Sequence, residues 1–176
     1  THNSVTWEPW DGTGTITYDS SNTAYIYLTQ DVTIGTPLTV SENQTLYLCL
    51  NGKTITCNGS GSDCTILCKS GKLNICDCKS TGTIQSGSRH GIVLTKNYSV
   101  SPAGPGSTCT LYSGTIVGRA ANPDSAQRSG MSGVTVGDGC KFTMNGGTIK
   151  EHQVSGGGAG VHVVYGTFIM NAGTIS

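Results

Sequence analysis

Apolar and polar positions alternate along this chain in short runs punctuated by glycine, and no stretch carries a helical period. The runs recur in a fixed order. Asn51-Gly52-Lys53-Thr54-Ile55, Thr81-Gly82-Thr83-Ile84, Ser113-Gly114-Thr115-Ile116, Gly146-Gly147-Thr148-Ile149 and Ala172-Gly173-Thr174-Ile175 all close on Thr-Ile. Ahead of four of them stand Leu48-Cys49-Leu50-Asn51, Cys109-Thr110-Leu111-Tyr112, Phe142-Thr143-Met144-Asn145 and Phe168-Ile169-Met170-Asn171. Earlier still comes a strand led by a small residue: Cys64-Thr65-Ile66-Leu67, Gly91-Ile92-Val93-Leu94, Gly133-Val134-Thr135-Val136 and Gly160-Val161-His162-Val163. One unit therefore predicts strand, turn, strand, glycine turn, short Thr-Ile strand and variable loop. Self-similarity at a period of about 20–50 residues marks a repeat architecture.

Such a unit cannot bury its own apolar face, so copies must stack, at about the 4.8 Å spacing of paired strands. The pattern predicts an all-β fold, a parallel β-helix in which repeated positions become columns. Ile55, Ile84, Ile116, Ile149 and Ile175 stack inward in this reading, and Thr54, Thr83, Thr115, Thr148 and Thr174 line up outward. Leu48, Cys109, Phe142 and Phe168 form a second inward column, and Leu50, Leu111, Met144 and Met170 a third. Asn51, Asn145 and Asn171 fall at the bend, where stacked amides bond from copy to copy and the following glycines supply positive φ. A twisted β-sandwich is the competing fold, but it does not require residue identity to repeat from strand to strand.

The N-terminal stretch differs in kind. Residues 1–37 hold both tryptophans, Trp7 and Trp10, and read as a cap over the open edge of repeats spanning 38–176; the alternative is that the two indoles form a sugar-stacking platform. Ser176 directly follows a Thr-Ile pair, so the chain reads as an excerpt of a longer protein. Composition narrows the function. Of 176 residues 26 are Gly and only 11% are charged, and the balanced charge points to no nucleic-acid or anionic-membrane partner. No apolar run is long enough to span a membrane, and no motif calls for a cofactor.

Eight cysteines, six of them between Cys49 and Cys78, suggest an oxidising compartment and disulfides. Cys57 and Cys64 flank a Gly/Ser loop, and Cys49 and Cys78 lie at near-equivalent positions of successive copies, so these two pairs are the candidates. Unpaired buried thiols and a metal site are the other readings; Cys76-Asp77-Cys78 alone is a weak metal signal, and the chain has no Cys-x-x-Cys.

Leu46-Tyr47-Leu48-Cys49-Leu50-Asn51-Gly52-Lys53-Thr54-Ile55, Leu73-Asn74-Ile75-Cys76-Asp77-Cys78 with Gly82-Thr83-Ile84, and Phe142-Thr143-Met144-Asn145-Gly146-Gly147-Thr148-Ile149 resemble coils of large surface proteins of anaerobic gut bacteria. Gly156-Gly157-Gly158-Ala159-Gly160-Val161-His162-Val163 belongs to the same resemblance, which covers roughly residues 23–176. It implies a right-handed parallel β-helix (solenoid) of about five coils with an N-terminal cap, an adhesin-like role and an extracellular location on the bacterial cell surface. The implied partner is a host or dietary glycan or a protein receptor, bound by a monomeric module. The chain departs from the pattern in its many cysteines and in long insertions at Lys96–Ser107 and Val117–Gly130.

The rival function is a carbohydrate-active enzyme, a polysaccharide lyase or glycoside hydrolase. Such enzymes need clustered carboxylates, whereas the expected outward row of Thr65, Val93, Thr135 and His162 has none. No catalytic residue is therefore assigned. The insertions are better candidates for binding, because variable loops on a rigid repeat scaffold usually carry it. Arg89, His90, Lys96, Tyr98, Arg119, Asp124 and Arg128 are the candidate ligand residues, with His162 outward on its strand. Guanidinium groups beside an aromatic ring suit a carboxylated or sulfated sugar, or a protein epitope.

Overall fold

Runs in which every second residue is apolar bury one face, and here each run has become a strand paired with the next copy of itself. The structure is a computed structural model describing residues 5–59, 63–86, 89–99, 102–118, 132–152 and 160–176. Among these residues it is all-β. The strands are β1 (Glu8–Trp10), β2 (Thr23–Leu28), β3 (Val32–Ile34), β4 (Leu38–Val40), β5 (Thr45–Cys49), β6 (Thr54–Cys57), β7 (Cys64–Lys69) and β8 (Lys72–Cys76). There follow β9 (Thr83–Gln85), β10 (His90–Thr95), β11 (Thr108–Leu111), β12 (Thr115–Val117), β13 (Val134–Val136), β14 (Lys141–Lys150), β15 (Val161–Val163) and β16 (Thr167–Ile175).

All the described pairings between these strands are parallel. They build three ladders: β1-β2-β5-β8-β11-β14, β3-β6-β9-β12-β14, and β4-β7-β10-β13-β15. The first two join in β14 and its partner β16, which run unbroken through the Asn-Gly bend, so one sheet has 11 strands and the other five. Parallel strands in curled sheets of this kind are compatible with a solenoid. No helix of the described residues is long and apolar enough to cross a membrane.

The Thr-Ile phrase stacks residue on residue. Ile55 pairs with Ile84, Ile84 with Ile116, Ile116 with Ile149 and Ile149 with Ile175. The threonines keep the same register from Thr54 through Thr83, Thr115 and Thr148 to Thr174. Ile55, Ile84, Ile116 and Ile149 are fully buried, each a gain of about 1.5–3 kcal/mol over an exposed side chain.

The other two inward columns need a correction. Leu46, not Leu48, shares a row with Leu73, Cys109, Phe142 and Phe168. Leu48 in turn shares one with Ile75, Leu111, Met144 and Met170, and Leu50 lies beyond the strand at the bend. Counting back from Thr-Ile misplaces the first copy because the bend varies in length. Asp77 to Gly82 bridges it in one copy, whereas Gly146-Gly147 suffices in another. The slip is two residues, and the side-chain period of a strand is two, so every residue keeps its face. Leu46, Leu48 and Leu50 are accordingly all fully buried.

Backbones pass close together at the two corners. At the bend Gly147 has φ +80°, and a Cβ there would lie 2.6 Å from the Gly114 carbonyl oxygen of the preceding copy. At the head of the five-stranded sheet, a Cβ on Gly91 would meet Ile116 Cγ2 at 2.6 Å and the Gly133 carbonyl oxygen at 2.7 Å. Gly133 stands likewise against Ile149 and Gly160 against Ile175. The small residue that opens each of these strands thus makes room for the isoleucine column. The asparagine prediction divides: Asn171 Nδ2 donates to Asn145 Oδ1 at 2.7 Å, but Asn51 Nδ2 donates to the Leu28 carbonyl at 2.9 Å.

The strands before residue 38 share the ladders with those after it. β2 pairs with β5 in register from Thr23–Thr45 to Tyr27–Cys49, and β1 lies outside β2. Trp10 is buried in the core, while Trp7 is half-buried with its ring edge-on to Tyr25 at 5.5 Å.

Candidate functional site

The predicted ligand residues separate along strand β10. His90 opens it and Thr95 closes it, so Arg89-His90 and Lys96-Tyr98 stand about 17 Å apart at roughly 3.3 Å per residue. The two insertions therefore depart from different strand ends: one follows β10, the other follows β12. Arg119, Asp124 and Arg128 lie outside the described residues. The flanks of their segment are described: Gly118 N donates to the Lys150 carbonyl at 2.9 Å, and Ser132 reaches His90.

At the head of β10 four polar groups converge. His90 Nδ1 lies 3.0 Å from Ser132 Oγ and 3.2 Å from Thr135 Oγ1, and the two hydroxyls are 2.9 Å apart. Ser132 N–H donates to the same Nδ1 at 3.3 Å, which fixes that nitrogen as an acceptor. Burial is the main cause that lowers the pKa of His90; Asp63 opposes it, and the charges of Arg89 and His162 add to it. The ring is thus held neutral, and it ties the heads of β10 and β13 together. Ser132 is 1% exposed, so its hydroxyl serves this tie and is shut off from a substrate. Arg89 makes only a loose pair with Asp63, 3.7 Å between largely exposed groups, and screening leaves such a pair little energy.

His162 is in the same row as Thr135 and Val93 on the outer face of the five-stranded sheet. Leu67 and Thr39, not Thr65, continue that row. Thr65 is fully buried, and its hydroxyl donates to the Gln85 carbonyl. At the tail of β10, Lys96 Nζ meets Asp138 Oδ2 at 2.7 Å, and that hydrogen bond raises its pKa. The segment behind it is pinned: Asn97 N–H donates to Ser70 Oγ at 2.7 Å, Asn97 Nδ2 to Glu42 Oε2 at 3.0 Å, and Ser107 Oγ to the Thr95 carbonyl at 2.6 Å. Tyr98 projects from this corner, 63% exposed.

Seven of the described carboxylates have partners within the fold. Asp77, buried at the long bend, accepts hydrogen bonds from the N–H groups of Gly52 at 2.7 Å, Gly82 at 2.6 Å and Lys79 at 3.3 Å. Asp31 accepts from Thr54 N–H at 2.8 Å, and Asp19 from Ser21 and Thr23. Glu42, Asp63 and Asp138 hold the partners given above, and Glu151 pairs with Lys150 at 2.9 Å.

A concavity lies on the outer face of β5, β8 and β11, which the sequence did not single out. It measures about 470 Å³ and is lined by Trp7, Tyr47, Asn74, Cys76, Cys78 and Tyr112 among others. Tyr25 and Tyr47 occupy one row, their rings stacked 4.5 Å apart and 9° from parallel. Tyr112 is half exposed. The legible signal was the outward tyrosine between inward leucines in Leu46-Tyr47-Leu48.

The cysteines form no bridge: all eight are free thiols. Of the expected pairs, Cys49 and Cys78 have their sulfurs 3.6 Å apart, and Cys57 and Cys64 are both buried thiols. Burial, with help from the neighbouring Cys57, pushes the Cys64 thiol up to about 12. Burial likewise pushes Cys68 to about 11 and raises Cys109, so these thiols are inert interior fillers.

No family model, curated protein or solved structure matches the chain.

Proposed function

We propose that the chain is a right-handed parallel β-helix of about five coils with an N-terminal cap, an extracellular module of a bacterial surface protein that presents loops for adhesion to glycans or protein receptors. The observation that carries this reading is the parallel register. Successive copies lie over one another, so β6, β9, β12 and β14 end side by side, and β7, β10, β13 and β15 begin side by side. The ends and beginnings of these strands are the points from which the connections depart, and the His90–Ser132–Thr135 tie lies among them. A rigid ladder beneath a cluster of variable connections is the arrangement that binding proteins use. The right hand follows from the strong preference of parallel crossovers for that sense. The enzyme alternative draws less support, since the carboxylates named above are committed to turns and ion pairs.

A glycan array probed with the module and with an Arg119→Ala/Arg128→Ala variant tests the reading. Binding to carboxylated or sulfated glycans that the double variant loses by about ten-fold or more is expected, as bidentate guanidinium contacts disappear. Binding equal in both proteins, or binding to no glycan, contradicts recognition through these loops.

A further inference from the structure

Two thiols, Cys76 and Cys78, line the aromatic concavity, and a third, Cys49, lies buried against them. Cys49, at the end of β5, is buried; Cys76, at the end of β8, is half-buried; Cys78 is exposed. Cys49 and Cys76 are register partners on adjacent parallel strands, whose Cα spacing of about 4.8 Å falls inside the range that a disulfide accepts. Cys49 Sγ lies 3.6 Å from Cys78 Sγ, and Cys78 Sγ also lies 3.4 Å from Asn51 Oδ1. Cys49 therefore sits between two possible partners, one of them open to solvent. Among the described residues no group of three or more His, Cys, Asp or Glu side chains has the geometry of a metal site. This arrangement concerns sulfur chemistry and stands apart from those loops.

We propose that Cys49, Cys76 and Cys78 form a thiol–disulfide exchange site in which Cys78 receives a small-molecule disulfide, Cys49 resolves it, and Cys76 exchanges for Cys78 in the resulting bridge. Exposure makes Cys78 the thiol that a small disulfide can reach, and Cys49 is the acidic member of the set. Hydrogen bonding, from Cys76 first and then from Cys78 and neighbouring N–H groups, draws the Cys49 thiol down to about 5. The Cys76 thiol moves up, through its bond to Cys49 and through burial, and Cys78 moves up mainly through burial. Cys49 is thus the most acidic thiol of the three.

In the first step the Cys49 thiolate takes the Cys78 proton, and Cys78 sulfur attacks the small disulfide RS–SR. An S–S bond forms between Cys78 and one RS group, the RS–SR bond breaks, and RS⁻ departs. In the second step Cys49 sulfur attacks Cys78 Sγ; the Cys49–Cys78 bond forms and the second RS group leaves with the Cys49 proton as RSH. The protein is oxidised by two electrons and the small disulfide is reduced to two thiols. Attack by Cys76 on Cys49 Sγ then makes the Cys49–Cys76 bond and returns Cys78 as a thiol, with no change in oxidation state.

The fully reduced protein, exposed to oxidised glutathione, alkylated and digested with trypsin, tests this. Cys76 and Cys78 share the peptide Leu73–Lys79, so fragment ions must tell them apart. The expected first products are a transient glutathione adduct on Cys78 and a Cys49–Cys78 bridge, followed by a Cys49–Cys76 bridge that Cys76→Ser abolishes. In Cys49→Ser the Cys78 adduct should persist about ten-fold longer, having lost its resolving thiol. Cys78→Ser, a change at an exposed position, guards against misfolding of the first variant; it should slow oxidation of the set and leave Cys49–Cys76 as its bridge. An adduct equally long-lived in wild type and Cys49→Ser overturns the proposal. So does a first bridge between Cys57 and Cys64 while Cys49, Cys76 and Cys78 are recovered alkylated.

Discussion

The middle and the last copies of the repeat share sequence and register but not burial. Met144 and Ile149 on β14 are fully buried, while their row partners Met170 and Ile175 on β16 are 45% and 38% exposed. Phe142 is enclosed, and Phe168 stacks on it 5.4 Å away with its outer side open. Like residues on paired strands thus differ in how much of their apolar face a neighbouring strand covers. A copy contributes half of an interface, and its apolar face is worth what the neighbour covers. Stability along such a ladder resides between copies rather than within them.

Substitutions that read each half separately sharpen the contrast. Ile116→Ala, with isoleucines of adjacent copies above and below it, should lose about 2–5 kcal/mol in chemical denaturation. Gly133→Ala comes next. Its Cβ would stand 2.5 Å from Ile149 Cγ2 and 2.7 Å from the Gly160 carbonyl oxygen, and overpacking against backbone costs about 1–3 kcal/mol. Asp77→Ala should fall in a similar or slightly lower range, about 1–3 kcal/mol, because the buried Gly82 N–H and the part-buried Gly52 N–H lose their acceptor. The smallest effect belongs to Ile175→Ala, under about 1 kcal/mol. Equal losses for Ile116→Ala and Ile175→Ala would break the comparison.

Acid should act at the head of β10. Burial holds the pKa values of His90 and His152 below the ordinary histidine value of 6.5. A depressed folded value means that the unfolded chain binds protons first, so this stability is complete above about 6.5 and is lost as pH falls through the lowered folded values. Protonation of His90 Nδ1 also removes the acceptor for Ser132 N–H. The melting temperature should drop between pH 7 and pH 5, and His90→Asn should flatten the drop. A fall of the same size in that variant would assign acid sensitivity elsewhere.

Much of the ladder could be read in the sequence because a parallel stack superimposes like on like. Thr-Ile repeated five times, and each pair met the next in register. The bend could not be read, since its length changes between copies: Asp77, which spans the longest one, leaves no periodic trace. Hence the rows of Leu46, Leu48 and Leu50 are displaced by two places from those the repeat predicts. The loop corners were hidden for a related reason. Sequence neighbours such as His90 and Lys96 lie at opposite ends of one strand, whereas Ser132, 42 residues from His90, touches it. Of the thiols around Cys49, the repeat pointed to Cys78, whereas Cys76 is brought there by register between strands.

Interstrand nuclear Overhauser contacts test the stacked register most directly. Amide contacts linking Ile84 to Ile116 and Ile116 to Ile149 or their immediate sequence neighbours, repeated along the threonine column, are predicted. Short Hα–Hα contacts of antiparallel pairing between these segments, or no contacts among the Thr-Ile strands, would contradict the account.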